Sequence, residues 1–159
     1  MLDDLWLAES TIAAVQPACH CVLLHIGGSD LSRLSEFREG KSKTMAASAV
    51  ELAAQMSKSY GVSKVVLLST LPQTRGLSGG PESFLLNMKT FNTQLEVWSR
   101  PLDDVMYVQI GGFYNVKVNN EDIPRPVSDW SVDGIHCDER SMPKYLQRVL
   151  FTIMRATSS

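Results

Sequence analysis

A chain of 159 residues with 44% hydrophobic and 20% charged side chains is long enough for one domain with a real core, and its balance is that of an ordinary soluble globular protein. Its formal net charge of −2, with Lys and Arg scattered, argues against a nucleic-acid partner or an anionic membrane surface. No apolar run approaches a membrane span, the acidic start Met1-Leu2-Asp3-Asp4 is unlike a signal peptide, and the three cysteines Cys19, Cys21 and Cys137 do not make a disulfide scaffold, so a cytoplasmic location is expected.

Residues 2–16 read as a helix, with Leu5, Ala8, Ile12 and Val15 at helical spacing, Asp3 and Asp4 at its favourable end, and Pro17 as its stop. Residues 20–26 read as a strand. Val22 to Ile26 is an almost unbroken apolar run, as in a parallel strand covered by helices on both faces. It ends in Gly27-Gly28-Ser29-Asp30, a corner at the carboxyl end of a strand, where open α/β sheets place their chemistry. The polar stretch 29–40 reads as an exposed loop.

A second helix is expected over 41–60, with Met45, Ala49, Leu52, Met56 and Tyr60 as its buried stripe and Gly61 as its stop. Lys64 to Thr70 reads as a second all-apolar strand ending in hydroxyls, followed by a Gly- and Pro-rich loop. Phe84, Met88, Phe91, Leu95 and Trp98 mark a third helix with a core-facing stripe. Val105 to Ile110 is a third strand, closed by Gly111-Gly112. Residues 111–136 read as one long irregular stretch, of a length that is usually functional or disordered. A last helix over 139–156 carries Met142, Leu146, Val149 and Ile153 on one face. The order α-β-α-β-α-β-α, with right-handed crossovers, predicts one domain over 1–159 with a parallel sheet between helical layers.

Asp133 and His136 lie three apart before the last helix. An Asp can orient an imidazole, which then serves as general base towards a hydroxyl; the plainer alternative is an Asp helix cap beside a surface His. Ser29 could be a turn residue, a hydrogen-bond donor to substrate or a nucleophile. Cys137 could be a reactive thiol or a packing residue. Cys19, Cys21 and His25 share a strand face and could be imagined with His136 and Cys137 around a metal, but the spacing of a zinc knuckle or ribbon is lacking. With neither Gly-x-Gly-x-x-Gly nor a Walker-type loop, no metal and no cofactor are expected.

A hydrophobic strand ending in Gly27-Gly28-Ser29-Asp30, followed a hundred residues later by Asp133-Gly134-Ile135-His136 before a C-terminal helix, resembles the SGNH (GDSL-type) hydrolase superfamily. Val66-Leu67-Leu68-Ser69-Thr70-Leu71-Pro72, Phe91-Asn92 and Gly112-Phe113 look similar to its members in metazoan genomes and retroelement-encoded esterase domains. The resemblance implies a three-layer α/β/α flavodoxin-like fold and hydrolysis of esters, often acetyl esters. It assigns acid and base to Asp133 and His136, and the oxyanion corner and pocket to Gly27, Gly28, Ser29 and Asp30. At Ser29 the family has an Asn, whose loss as an oxyanion donor typically costs about 10²–10³ in rate.

The family's nucleophile block, Gly-Asp-Ser, occurs nowhere in the chain, and its oxyanion-hole glycine block is also missing. Relative to the family the chain therefore reads as N-terminally truncated, with the strand at 20–26 left as an unguarded sheet edge. A homodimer pairing these strands antiparallel is expected. Two functions follow. One is a non-catalytic binding or assembly module. The other is an active ester hydrolase rebuilt from Ser29, His136 and Asp133, or completed by a serine from a partner chain.

Overall fold

A computed structural model describes residues 21–157; the helix expected over 2–16, and Cys19, lie outside them. The described elements are β1 (Cys21–Leu24), α1 (Gly28–Ser32), α2 (Glu39–Tyr60), β2 (Lys64–Leu68), α3 (Gly80–Ser99), β3 (Val105–Val108), α4 (Gly111–Tyr114), β4 (Asn115–Val118), β5 (Glu121–Pro124), a 3-10 turn (Val127–Asp129) and α5 (Met142–Thr157). Strands β1, β2 and β3 pair in that order, all parallel, with Leu23, Val66 and Met106 in register across the sheet.

Alternation along β2 divides the core. Val65 and Leu67 point into a cluster with Ala46, Ala49, Phe84 and Phe91 from α2 and α3. Val66 and Leu68 point to the other face, where Phe113, Trp130, Tyr145 and Val149 gather under α5. This is the α/β/α layering expected from apolar strands joined by helices.

Several elements differ from their sequence reading. The polar stretch 29–40 is not all loop: Leu31, its one strongly apolar residue besides Leu34 and Phe37, is fully buried and draws residues 28–32 into a helical turn, with its N–H on the Gly27 carbonyl at 2.9 Å. The buried stripe of α2 is rotated to Ser42, Ala46, Ala49, Val50, Ala53 and Met56, leaving Met45, Leu52 and Tyr60 half-buried. Small residues at the α2–α3 contact let the two backbones approach, and the large ones flank it. On α3 the stripe is as expected except for Trp98, which is 51% exposed and donates its indole N–H to Gln94. Residues 111–136 contain α4 and the hairpin β4–β5, turned by Asn119 and Asn120, both at positive φ. On α5 the packed face is Tyr145, Val149 and Thr152, so Met142 and Leu146 stand exposed.

Two contacts from adjacent residues of α3 fix the carboxyl ends of the strands. Asn92 receives the Thr70 N–H on its Oδ1 (2.9 Å) and donates Nδ2–H to the Thr70 carbonyl (3.3 Å), continuing the ladder where β2 leaves the sheet. Thr70 in turn donates its hydroxyl to the Ile26 carbonyl at 3.0 Å, tying the end of β2 to the end of β1. Phe91 packs against Gly27, where a Cβ would lie 2.7 Å from the ring and φ is +102°. Only glycine satisfies both demands.

The other layer is joined to β1 by Tyr145 of α5. Its hydroxyl lies 2.8 Å from His25 Nδ1 and the rings stack at 6.0 Å between centroids. Surrounding protein disfavours the charged imidazole and lowers the His25 pKa below 6.5.

Asn92→Leu strands the buried Thr70 N–H and C=O, and urea unfolding is expected to show a loss on the order of 3 kcal/mol. His25 binds its proton more readily in the unfolded chain, so its contribution to stability is constant above pH 6.5 and declines as the pH falls below it. Thermal midpoints measured from pH 7.5 to 5 are expected to fall less steeply in His25→Asn than in the wild type.

Candidate active site

The loop before α5 is built around one carboxylate. Asp133 Oδ1 accepts hydrogen bonds from the backbone N–H groups of Ile135 (2.8 Å) and His136 (2.7 Å) and from the Ser131 hydroxyl (3.1 Å). Its Oδ2 lies 2.7 Å from His136 Nδ1. The turn is anchored at Gly134, at φ +76°, whose carbonyl accepts the Thr74 N–H at 2.9 Å. A Cβ at Gly134 would sit 2.5 Å from Thr74 Oγ1, so the loop docks this closely only with glycine there.

This geometry sets the protonation state. The His136 backbone N–H, then its ring, then the Ile135 N–H hold the Asp133 carboxyl far below the usual carboxylate range. An ionised carboxylate only accepts, so Nδ1 carries the proton it shares with Asp133. In the neutral imidazole His136 Nε2 is then the acceptor, on a side chain that is 79% exposed. Asp133 both caps the turn and orients the imidazole; the two readings of the Asp-x-x-His spacing are one arrangement.

A cleft of ≈ 470 Å³ lies between this imidazole and the corner after β1. Gly27, Gly28, Ser29 and Asp30 form one wall, and Ile135 and His136 the other. Each residue singled out for the corner therefore borders the same space as the expected base. Ser29 is exposed in the first turn of α1, and its backbone carbonyl accepts the Ser32 hydroxyl. Asp30 buries Oδ2 without a hydrogen-bond partner among the described residues. Among the described residues, no hydroxyl or thiol is hydrogen-bonded to His136.

Cys137 does not border the cleft. Burial, and secondarily the Asp138 carboxylate, push its thiol pKa up, away from the thiolate a nucleophile requires. Among the described residues no three His, Cys, Asp or Glu side chains lie close enough to hold a metal ion. The cleft is also lined by Gln73, which had no functional reading in the sequence, and by Thr70 and Leu71, which were given no role of their own there. The signals for Thr70 were a hydroxyl ending an apolar strand and its place in the Val66–Pro72 stretch. His25, read there as a metal candidate, lines the cleft beside Gly27 and is held by Tyr145 instead.

No protein family and no curated protein matches the chain. Among solved structures, it is similar to a putative acylhydrolase from Bacteroides fragilis, with a TM-score of 0.62 and 12% identity over 95% of this chain and 70% of that one. At that identity the likeness speaks for the fold alone: the chain has a hydrolase-like α/β fold.

Proposed function

We propose that the chain is an SGNH (GDSL-type) esterase-like module, related to the metazoan and retroelement esterase domains, that keeps the acid and base of the site but is catalytically impaired by itself and serves in binding or assembly. The observation that carries this reading is an oriented base without a nucleophile. His136 is set by Asp133 at 2.7 Å, yet no hydroxyl or thiol among the described residues is hydrogen-bonded to its ring. A base acting alone does not form an acyl-enzyme.

A small ester fits this site chemically, with its carbonyl oxygen towards Gly27 and Ser29 and its leaving group towards His136. The protein partner is a second copy of the chain, joined along β1, an outer strand of the sheet among the described residues. A reducing cytoplasm suits Cys137, a free cysteine. No helix among the described residues is long and apolar enough to cross a membrane.

One observation favours an active alternative: exposed Ser29 faces the same cleft as His136. Its Oγ would attack the acyl carbon while His136 Nε2 takes the hydroxyl proton and passes it to the departing alkoxide. Water activated by the same imidazole would then release the acid. A serine from a partner chain would follow the same sequence.

The purified protein, Ser29→Ala and His136→Ala are to be compared on p-nitrophenyl acetate. The expected result is no saturable turnover in the wild type and the same background in Ser29→Ala. Saturable turnover lost in both variants would establish the rebuilt site and overturn the impaired reading.

A further inference from the structure

The loop after β2 joins the two walls of the cleft. At its near end Thr70 is fixed by Asn92 and tied through its hydroxyl to the Ile26 carbonyl, just before the Gly27–Asp30 corner. At its far end the Thr74 N–H donates to the Gly134 carbonyl at 2.9 Å, in the loop that carries His136. Leu71 and Pro72 are buried between these anchors. Gln73, one residue before the second anchor, is half-buried and lines the cleft together with Gly28, Ser29 and His136.

The Gln73 amide meets the corner with its donor end. Nε2 lies 2.8 Å from the point that a Cβ on Gly28 would occupy, whereas Cδ lies 4.0 Å from it. Gly28 is not among the glycines at positive φ, so its backbone does not require glycine; the close approach of the amide does. Among the described residues nothing is hydrogen-bonded to the Gln73 side chain. Its Nε2 offers two N–H donors and no charge. Charge then narrows the ligand. Among the described residues no Lys or Arg borders the cleft, whereas Asp30 does, and Asp133 stands ionised behind the imidazole. A carboxylate or phosphate would meet these acids with no cation to offset them. An uncharged carbonyl group gives Gln73 its acceptor without that repulsion.

We infer that Gln73 anchors and selects the ligand of this cleft: its Nε2–H donates to the carbonyl oxygen of an uncharged ester, held beside Gly28, and anionic ligands are refused. This role rests on the ester-binding reading of the cleft above; the anchoring residue and the selection against anions are new.

The full 159-residue chain, labelled with nitrogen-15, is to be titrated in the NMR spectrometer with phenyl acetate and, separately, with phenylacetate, an anion of the same heavy atoms. The Gln73 side-chain amide pair is identified by its absence from the spectrum of Gln73→Met, a side chain of similar length without the donor. Phenyl acetate is expected to move that pair together with the backbone N–H signals of Ile135 and His136. Gln73→Met is expected to weaken its binding roughly fivefold to tenfold, the worth of one hydrogen bond, with an unchanged far-ultraviolet circular dichroism spectrum. Phenylacetate is expected to bind the wild type roughly tenfold more weakly than the ester. If phenyl acetate moves the Ile135 and His136 signals but leaves the Gln73 pair in place and binds Gln73→Met equally well, the role of Gln73 falls and the ester-binding reading stands. Equal binding of phenylacetate would overturn the selection against anions. No shift from either compound up to tens of millimolar would overturn both the role and the reading.

Discussion

The site depends on the pairing of Asn92 with the backbone of Thr70. A buried strand end normally strands its last N–H and C=O, and here one side-chain amide satisfies both. Thr70 is thereby held where its hydroxyl reaches the Ile26 carbonyl, which fixes the end of β1 relative to the end of β2. The neighbouring Phe91 presses on Gly27 from the same turn of α3. One helical turn thus sets the corner at Gly27–Asp30, and the cleft inherits its shape from a contact in the opposite helical layer.

The second wall is independent of the first. Asp133 organises its loop locally, through the backbone N–H groups of Ile135 and His136 and the Ser131 hydroxyl, before it binds the imidazole. An imidazole held this way stays oriented whether or not a nucleophile is present, because none of its supports comes from the corner. That separation accounts for an oriented imidazole beside a cleft in which no hydroxyl among the described residues is bonded to the ring. The α5 helix connects the walls through Tyr145 and His25.

Much of this was legible in the residues. The parallel three-stranded sheet followed from three short apolar runs separated by helical stripes, and Asp133, His136 and the Gly27–Asp30 corner were singled out as candidates from motif and strand-end position. What stayed hidden depends on tertiary contact. Leu31 turns a polar stretch into a helix because a buried pocket awaits it, which periodicity cannot show. The α2 stripe rotated because alanines, not the larger Met45 and Leu52, face α3. The α5 face shifted to Tyr145 and Thr152, since the partner of Tyr145 is a histidine 120 residues away in sequence. The Asn119-Asn120 turn was a readable hairpin signal that the length of the stretch obscured.

The central claim is that the base is in place and the nucleophile is not. Incubation of the purified chain with a fluorophosphonate probe, followed by intact-mass measurement, tests it directly, because such probes phosphonylate only a serine that is already activated. The account predicts an unchanged mass. A stoichiometric adduct abolished in His136→Ala and mapping to Ser29 would contradict it, and would make the corner after β1 the seat of a working nucleophile.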